Sequence, residues 1–483
     1  MEISLKKIIF VQDISNAKLM EFKKLIDRGA ELERMNEALH REDTQFIVIY
    51  GRRRIGKSEL IKRIVKARHK AIYFLSDTSS ETVQRVAFSK VAASVIDGFD
   101  KVIYPDWETL FRSFNNQLSE RMLVCLDEFP YLVKSCDVLP SIIQKLLNEK
   151  ILKFDLVLCG SSQQLMHGYV LNRQSPLYGL ANEIMKMQPI PAQYMSMAME
   201  CDAVQAVEEY AIWGGVPRYW ELRRDYPDKE TAIRKVLLDP QGPLTEEPQR
   251  LLHDDMRDTV QASTLLTIIG NGANKLSEIA NRAGKDSSTI SEPLSKLREL
   301  GYVSREVPFG ESPKKSKKGI YHINDSLLRF HYQFIVPYRS ILELGRMDIV
   351  MQVVLSQLPQ FIGQCWELLC REYVSGNIID GIAYNVASRW WGKIFSPEYK
   401  DDKMVELDVV AESIDKKHIL VGECKWTHDE DADRLMNVLE QKAKYLPFIK
   451  KGQEIHLVLF LKESPTHCAK GMRVFLPSDV MKV

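Results

Sequence analysis

Gly51, Gly56, Lys57 and Ser58 in "GRRRIGKS" occupy every fixed position of the pattern G-x-x-x-x-G-K-[ST]. That spacing lets a backbone wrap a diphosphate: glycines admit the dihedrals the loop needs, successive N–H groups converge on the oxygens, and the helix that follows adds its positive N-terminal end. Gly51, Arg52, Arg53, Arg54, Ile55 and Gly56 would form the cradle, with Lys57, Ser58 and Glu59 opening the helix. Lys57 is then placed to reach the β- and γ-phosphates of a nucleoside triphosphate, and Ser58 to ligate Mg²⁺. The plain alternative for the same stretch is an arginine-rich solvated turn.

Hydrolysis needs a second strand that ends in carboxylates, and "RMLVCLDEFP" supplies one. Met122 to Leu126 form an apolar run, with Asp127 and Glu128 at its end. In this chemistry the aspartate holds Mg²⁺ through water and the glutamate orients the attacking water. "KFDLVLCGSS" reads as a third such strand, where Ser161 or Ser162 at the tip would contact the γ-phosphate or the attacking water.

A separate constellation lies near the other end. Asp408 sits mid-strand between apolar neighbours in "MVELDVVAES", which is costly unless the carboxylate is paired or metal-bound. In "HILVGECKW", Glu423 and Lys425 alternate on one strand and so point to one face. With Glu367 from the helical "FIGQCWELLCREYV", three acids and an ammonium could converge on Mg²⁺, an arrangement suited to phosphodiester hydrolysis. Asp408 and Glu423 would be the ligands, and Lys425 would orient or polarise the attacking water. The competing reading is a set of buried salt bridges in an inactive site.

These groups must be positioned by several domains, since 483 residues allow about three of ordinary size. The 45% hydrophobic and 27% charged content is that of a soluble globular chain. A formal net charge of +1 means that contact with nucleic acid has to come from local patches. No apolar run approaches a membrane span, and Lys6 and Lys7 interrupt any signal-peptide design in Met1 to Phe10. The eight scattered cysteines, several inside strand-like runs, fit buried thiols in a reducing cytoplasm.

Strand and helix patterns alternate from Phe46 to Pro191, as a parallel α/β sheet requires, and helices broken by Gly214, Gly215 and Pro217 follow as a lid. From Thr259 the pattern is three helices, the third opened by Asp286 and interrupted by Pro293, then a hairpin of "YVSREVPF" and "GIYHI". This predicts a winged helix-turn-helix with Ser287, Ser288, Thr289 and Ser291 facing DNA bases and Lys314, Lys315, Lys317 and Lys318 facing phosphates. A winged helix that only packs against protein is the alternative. The expected division is a core at 1–190, a helical lid at 191–258, a winged helix-turn-helix at 259–340 and a final domain at 341–483.

"IDRGAELERM", "GRRRIGKS", "CLDEFP", "LCGSS", "SPLYGLANEI", "GGVPRYW", "REVPFGE", and "ELDVVA" with "GECKW" together give the chain a family resemblance. From about Leu25 to Leu461 it resembles the archaeal-type P-loop ATPases of the AAA+/STAND group, in the branch whose C-terminal domain is similar to PD-(D/E)xK nucleases. The resemblance implies ATP and Mg²⁺ as cofactors, an α/β P-loop NTPase core, and a C-terminal α/β domain like a restriction endonuclease. An arginine finger would be expected after "SPLYG", where this chain has Leu180. Arg173 or Arg218 could substitute in cis, and a homo-oligomer could supply one in trans. The function expected is a cytoplasmic ATPase that couples nucleotide state to a DNA-directed module. The competing function is an ATP-dependent switch or scaffold with an inactive nuclease-like domain.

Overall fold

A computed structural model of the chain describes residues 27–256, 258–394, 403–467 and 472–483. Met1 to Phe10, Ile26 at the start of the "IDRGAELERM" stretch and Phe395 at the end of the "RWWGKIF" run lie outside the described residues. The chain separates into two compact units: residues 1–190 with Val216–Arg218, and residues 191–215 with 219–483.

In the first unit, helix α1 (Gly29–Leu39) precedes five parallel strands: β1 (Phe46–Tyr50), β2 (Ala71–Leu75), β3 (Met122–Asp127), β4 (Phe154–Gly160) and β5 (Glu183–Lys186). Their order across the sheet is β2-β3-β4-β1-β5. All of β3 and all of β4 are buried, which explains why both read as continuous apolar runs rather than alternating ones. Helix α2 (Lys57–Lys66) follows β1 after the loop from Gly51 to Gly56. An aromatic cluster fills one layer: Phe88 meets Phe74, Trp107, Phe111 and Phe114 edge-on, with ring centroids 5.5 to 6.0 Å apart.

In the second unit, helices α3 (Thr259–Gly270), α4 (Leu276–Ala283) and α5 (Ser287–Glu299) share a core built from Leu265, Ile279, Ile290 and Leu294. The hairpin of β6 (Val303–Glu306) and β7 (Ile320–Ile323) follows, and Lys275 bridges to Ile320 to add a short third edge. Helix α5 runs across Pro293, and Asp286 takes the N-cap position without a side-chain capping bond. The long helix α6 (Met347–Val374) leads to a second sheet of β8 (Ser388–Ile394), β9 (Lys403–Glu412), β10 (His418–Lys425), β11 (Glu454–Leu461) and β12 (Arg473–Phe475). The first three are antiparallel neighbours, and β10-β11-β12 are parallel. Helix α7 (Ala432–Ala443) is the crossover between β10 and β11 and packs Met436 and Leu439 onto Ile419 and Val421. The hairpin is tied to this sheet. Phe309 N–H donates to Arg389 O at 2.8 Å, and the Phe309 ring packs edge-on against Phe448.

His331 in this unit is buried, packs edge-on against Tyr332, and its Nδ1 has no hydrogen-bond partner among the described residues. Burial, then the Arg339 charge, pushes its pKa down from 6.5 to about 4. As pH falls below 6.5 the unfolded chain takes up a proton that the folded chain refuses until about pH 4. Stability is therefore lost with falling pH across that window, by about 2 kcal/mol from this group between pH 7 and pH 5. Urea unfolding at the two pH values should show His331→Leu to be less pH-sensitive than wild type by that amount.

Candidate functional site

The loop between β1 and α2 is set by its glycines. Gly51 has a φ of +144°, and a Cβ there would stand 2.6 Å from the Met187 carbonyl oxygen; Gly56 is left-handed at +94°. Side chains are excluded at the first position by contact and strained at the second by the backbone. Arg28 at the head of α1 is buried and pins the loop: its guanidinium donates to Ile55 O at 3.0 Å and Gln188 O at 2.9 Å. The Lys57 ammonium is buried inside the loop, donating to Gly51 O at 2.9 Å and Arg52 O at 2.8 Å. Arg52 and Ile55 are buried, Arg53 and Arg54 half-buried, and Glu59 is exposed with an ion pair to Arg63.

Because β4 lies between β1 and β3, the tip of β4 stands between the loop and the acidic strand end. Asp127 is fully buried. Its Oδ1 accepts the Glu128 N–H at 2.9 Å, and its Oδ2 accepts the Tyr73 hydroxyl at 2.6 Å. Glu128 is left-handed at φ 53°, an uncommon conformation for a side chain of this kind. Its carboxylate meets the Ser161 hydroxyl, and Ser161 N–H points to Oε2 at 3.3 Å. Ser162 instead caps the next short helix by accepting from Leu165 N–H. Ser58 also lies near enough to the Tyr73 hydroxyl to act on it, so Ser58 and Asp127 stand on the same phenol. Burial first, and then the bond to Asp127, raises the Tyr73 pKa far above its ordinary value. Two oxygen donors converging on one point are a set that fits Mg²⁺. Arg173 is exposed, and Arg218 belongs with the first unit.

In the second unit, Glu367 on α6, Asp408 on β9, and Glu423 and Lys425 on β10 all line one cavity of about 970 Å³. Asp408 Oδ2 accepts the Cys424 N–H at 2.9 Å. Burial, then the Glu423 charge, pushes its pKa up. Glu423 bridges two ammonium groups, Lys425 and Lys442, each at 2.9 Å. Burial alone would raise its pKa, but the two lysines outweigh it and hold the carboxyl below its ordinary range. Glu367 lies 3.8 Å from Arg371 and 3.9 Å from Arg389. Burial and Asp408 nonetheless lift it to about 7. A half-buried all-oxygen acid set beside ammonium groups fits a hard divalent cation such as Mg²⁺. Among the described residues, no helix is long and apolar enough to cross a membrane.

Residues 25–221 match a family described as an ATPase domain predominantly from Archaea, and residues 331–444 match one described as archaea bacterial proteins of unknown function. The uncharacterized protein MJECL04 of Methanocaldococcus jannaschii is 30% identical over 431 residues, which span 87% of this chain and 92% of that protein. The chain belongs to that protein's family. Residues 25–221 thus carry an ATPase domain of the kind found predominantly in Archaea. Among solved structures, the ORC2 protein of Aeropyrum pernix in ADPNP and ADP complexes is 14% identical, with a TM-score of 0.44 over 69% of this chain and 95% of that one. The ORC1 protein of the same organism in complex with DNA is 17% identical, with a TM-score of 0.35 over 66% and 94%.

Three residues of this chain carry contacts that sequence reasoning did not single out: Arg28, Tyr73 and Lys442. Arg28 falls inside the "IDRGAELERM" stretch, which was a local signal. Nothing in the spacing links Tyr73 to Asp127, 54 residues apart, or Lys442 to Glu423, 19 apart on another element.

The residues expected to face DNA are placed as follows. Ser288, Thr289 and Ser291 are exposed on α5, while Ser287 is half-buried. The Ser291 hydroxyl donates to Ser287 O at 2.6 Å. Lys314, Lys315, Lys317 and Lys318 are exposed on the β6–β7 loop, and Lys318 pairs with Glu311 at 2.7 Å.

Proposed function

We propose that this chain binds and hydrolyses ATP with Mg²⁺ in its first unit and couples nucleotide state to a DNA-directed C-terminal module that cleaves phosphodiesters with Mg²⁺. The observation that carries the ATPase reading is the meeting of Glu128 with Ser161 at the strand ends beside the glycine loop. There Glu128 orients the attacking water, Ser161 holds Glu128, and the loop N–H groups with Lys57 receive the phosphates. Ser58 and Asp127 would hold Mg²⁺, which when bound neutralises charge on the phosphate oxygens. Val216–Arg218 cluster with this unit, so Arg218 is the arginine we assign to a finger role in cis.

The C-terminal reading is supported by four polar side chains that share a cavity although they come from three elements. Asp408, Glu423 and Glu367 would hold Mg²⁺, and Lys425 would orient the attacking water. We take residues 259–340 as a winged helix-turn-helix, with the loop lysines meeting DNA phosphates, and 341–483 as a domain of the PD-(D/E)xK nuclease type. The decisive experiment is incubation of purified protein with DNA, Mg²⁺ and ATP, followed by separation of the products. Cleavage supports the nuclease reading; binding without cleavage in Mg²⁺ or Mn²⁺ overturns it.

A second reading is favoured by one observation. Glu367 and Glu423 each face two cations, so this part of the cluster is compensated as an ion-pair network. On that reading the C-terminal fold is an ATP-dependent switch or scaffold that binds DNA or protein.

Lys57→Ala tests the nucleotide site itself. Losing a buried ammonium that serves two phosphate contacts should weaken ATP binding by about a hundredfold. Equilibrium dialysis measures it, and unchanged affinity would reject the phosphate-loop assignment.

A further inference from the structure

His418 opens β10, and Glu454 and His456 open β11, the strand paired to it in parallel register. His418 and Glu454 are direct register partners, and His456 lies two residues on, so all three project from one face of the sheet. The ring atoms His418 Nδ1 and His456 Nε2 stand 3.0 Å apart. Glu454 places one carboxylate oxygen 3.5 Å from His418 Nδ1 and the other 3.7 Å from His456 Nε2. Three ligands bound tetrahedrally at the lengths typical of zinc, about 2.0 to 2.1 Å, would be separated by roughly 3.3 Å. The observed separations bracket that value.

This cluster is not part of the acidic cavity. His418 is five residues before Glu423 on a regular strand, a separation of about 16 Å. Odd and even positions of a strand face opposite ways, so Glu423 and Lys425 face α7 and His418 does not. The surroundings favour a cation. Asp415 accepts from the Ser413 hydroxyl and the Lys417 N–H, and the same Ser413 hydroxyl oxygen accepts the His418 N–H, which places a carboxylate beside the cluster. Both imidazoles are half-buried and Glu454 is exposed, so an ion can enter from solvent and keep a water as a fourth ligand.

We propose that His418, Glu454 and His456 form a binding site for one transition-metal ion of the Zn²⁺ type, which pins the starts of β10 and β11 together. Two imidazole nitrogens and one carboxylate select a borderline-soft ion over Mg²⁺, which demands oxygen. The strands joined in this way flank α7, the helix that carries Lys442 to Glu423. The competing account of the 3.0 Å approach is a simple N–H···N bond between neutral rings, which needs no ion.

The test uses the full chain stripped of metal and then titrated with Co²⁺, a spectroscopic stand-in for Zn²⁺, in millimolar Mg²⁺ so that oxygen-only sites are filled. Wild type should bind one equivalent with visible d–d absorption of a four-coordinate nitrogen and oxygen site. Zn²⁺ should displace it and raise the Tm. His456→Ala should weaken Co²⁺ binding by about a hundredfold, and Glu454→Gln, a change at an exposed side chain, by about tenfold. If His456→Ala fails to fold, Glu454→Gln with its unchanged circular dichroism decides. Absence of the absorption bands, equal affinity in wild type and variants, or a near-ultraviolet thiolate band from cysteine ligation would each overturn the proposal.

Discussion

Glu128→Gln is expected to leave ATP bound while slowing its turnover by about two to three orders of magnitude. The amide keeps the size and one acceptor oxygen, so the contact from Ser161 N–H at 3.3 Å can survive. What is lost is the charge that draws a proton from water. Glu128 is followed directly by a buried helix (Phe129–Ser135), and its left-handed backbone aims the carboxylate toward β4. The variant should therefore fold, and its ATP affinity should match wild type in the same dialysis that exposes Lys57→Ala. Single-turnover assays with radiolabelled ATP separate the two effects. Turnover at the wild-type rate would show that another residue orients the water. A parallel loss on Ser161→Ala, smaller than that of Glu128→Gln, would place the serine as the group that positions the glutamate.

The second large effect is expected at Asp408. Asp408→Asn retains an oxygen for the Cys424 N–H and removes only the charge. It should cost the metal several kcal/mol of its hold on the developing charge, and DNA cleavage about a thousandfold or more. ATP hydrolysis should persist, since Ser58, Asp127 and Glu128 belong to the other compact unit. Lys425→Ala should differ, keeping the metal and losing rate. Glu423 would retain Lys442 at 2.9 Å, so one ammonium still holds the carboxylate in place. Cleavage by Asp408→Asn at the wild-type rate would remove Asp408 from the mechanism. Loss of ATPase in the same variant would mean that the two units are coupled through structure.

Part of this arrangement was legible because its chemistry is written in consecutive residues. The glycine loop needs Gly51, Gly56, Lys57 and Ser58 within one turn of chain, and backbone dihedrals enforce their convergence wherever the segment lies. The same holds for Glu423 and Lys425. The two-residue period of a strand puts them on one face, and their side chains meet at 2.9 Å. Buried apolar runs such as Met122 to Leu126 marked the central strands because both sides of that sheet are covered.

Other features depended on which strand lies beside which. The placement of β4 between β1 and β3, which brings Ser161 to Glu128, is a property of sheet order and not of any local spacing. Tyr73 reaches Asp127 only because β2 pairs with β3, and Lys442 reaches Glu423 only because α7 crosses over β10. The pairing of His418 with Glu454 and His456 spans 38 residues and follows from a parallel register. The sequence by itself determined the groups whose geometry is enforced by one turn or one strand. The tertiary structure alone decided those held across strands, because register and strand order are settled by packing the whole sheet against its helices.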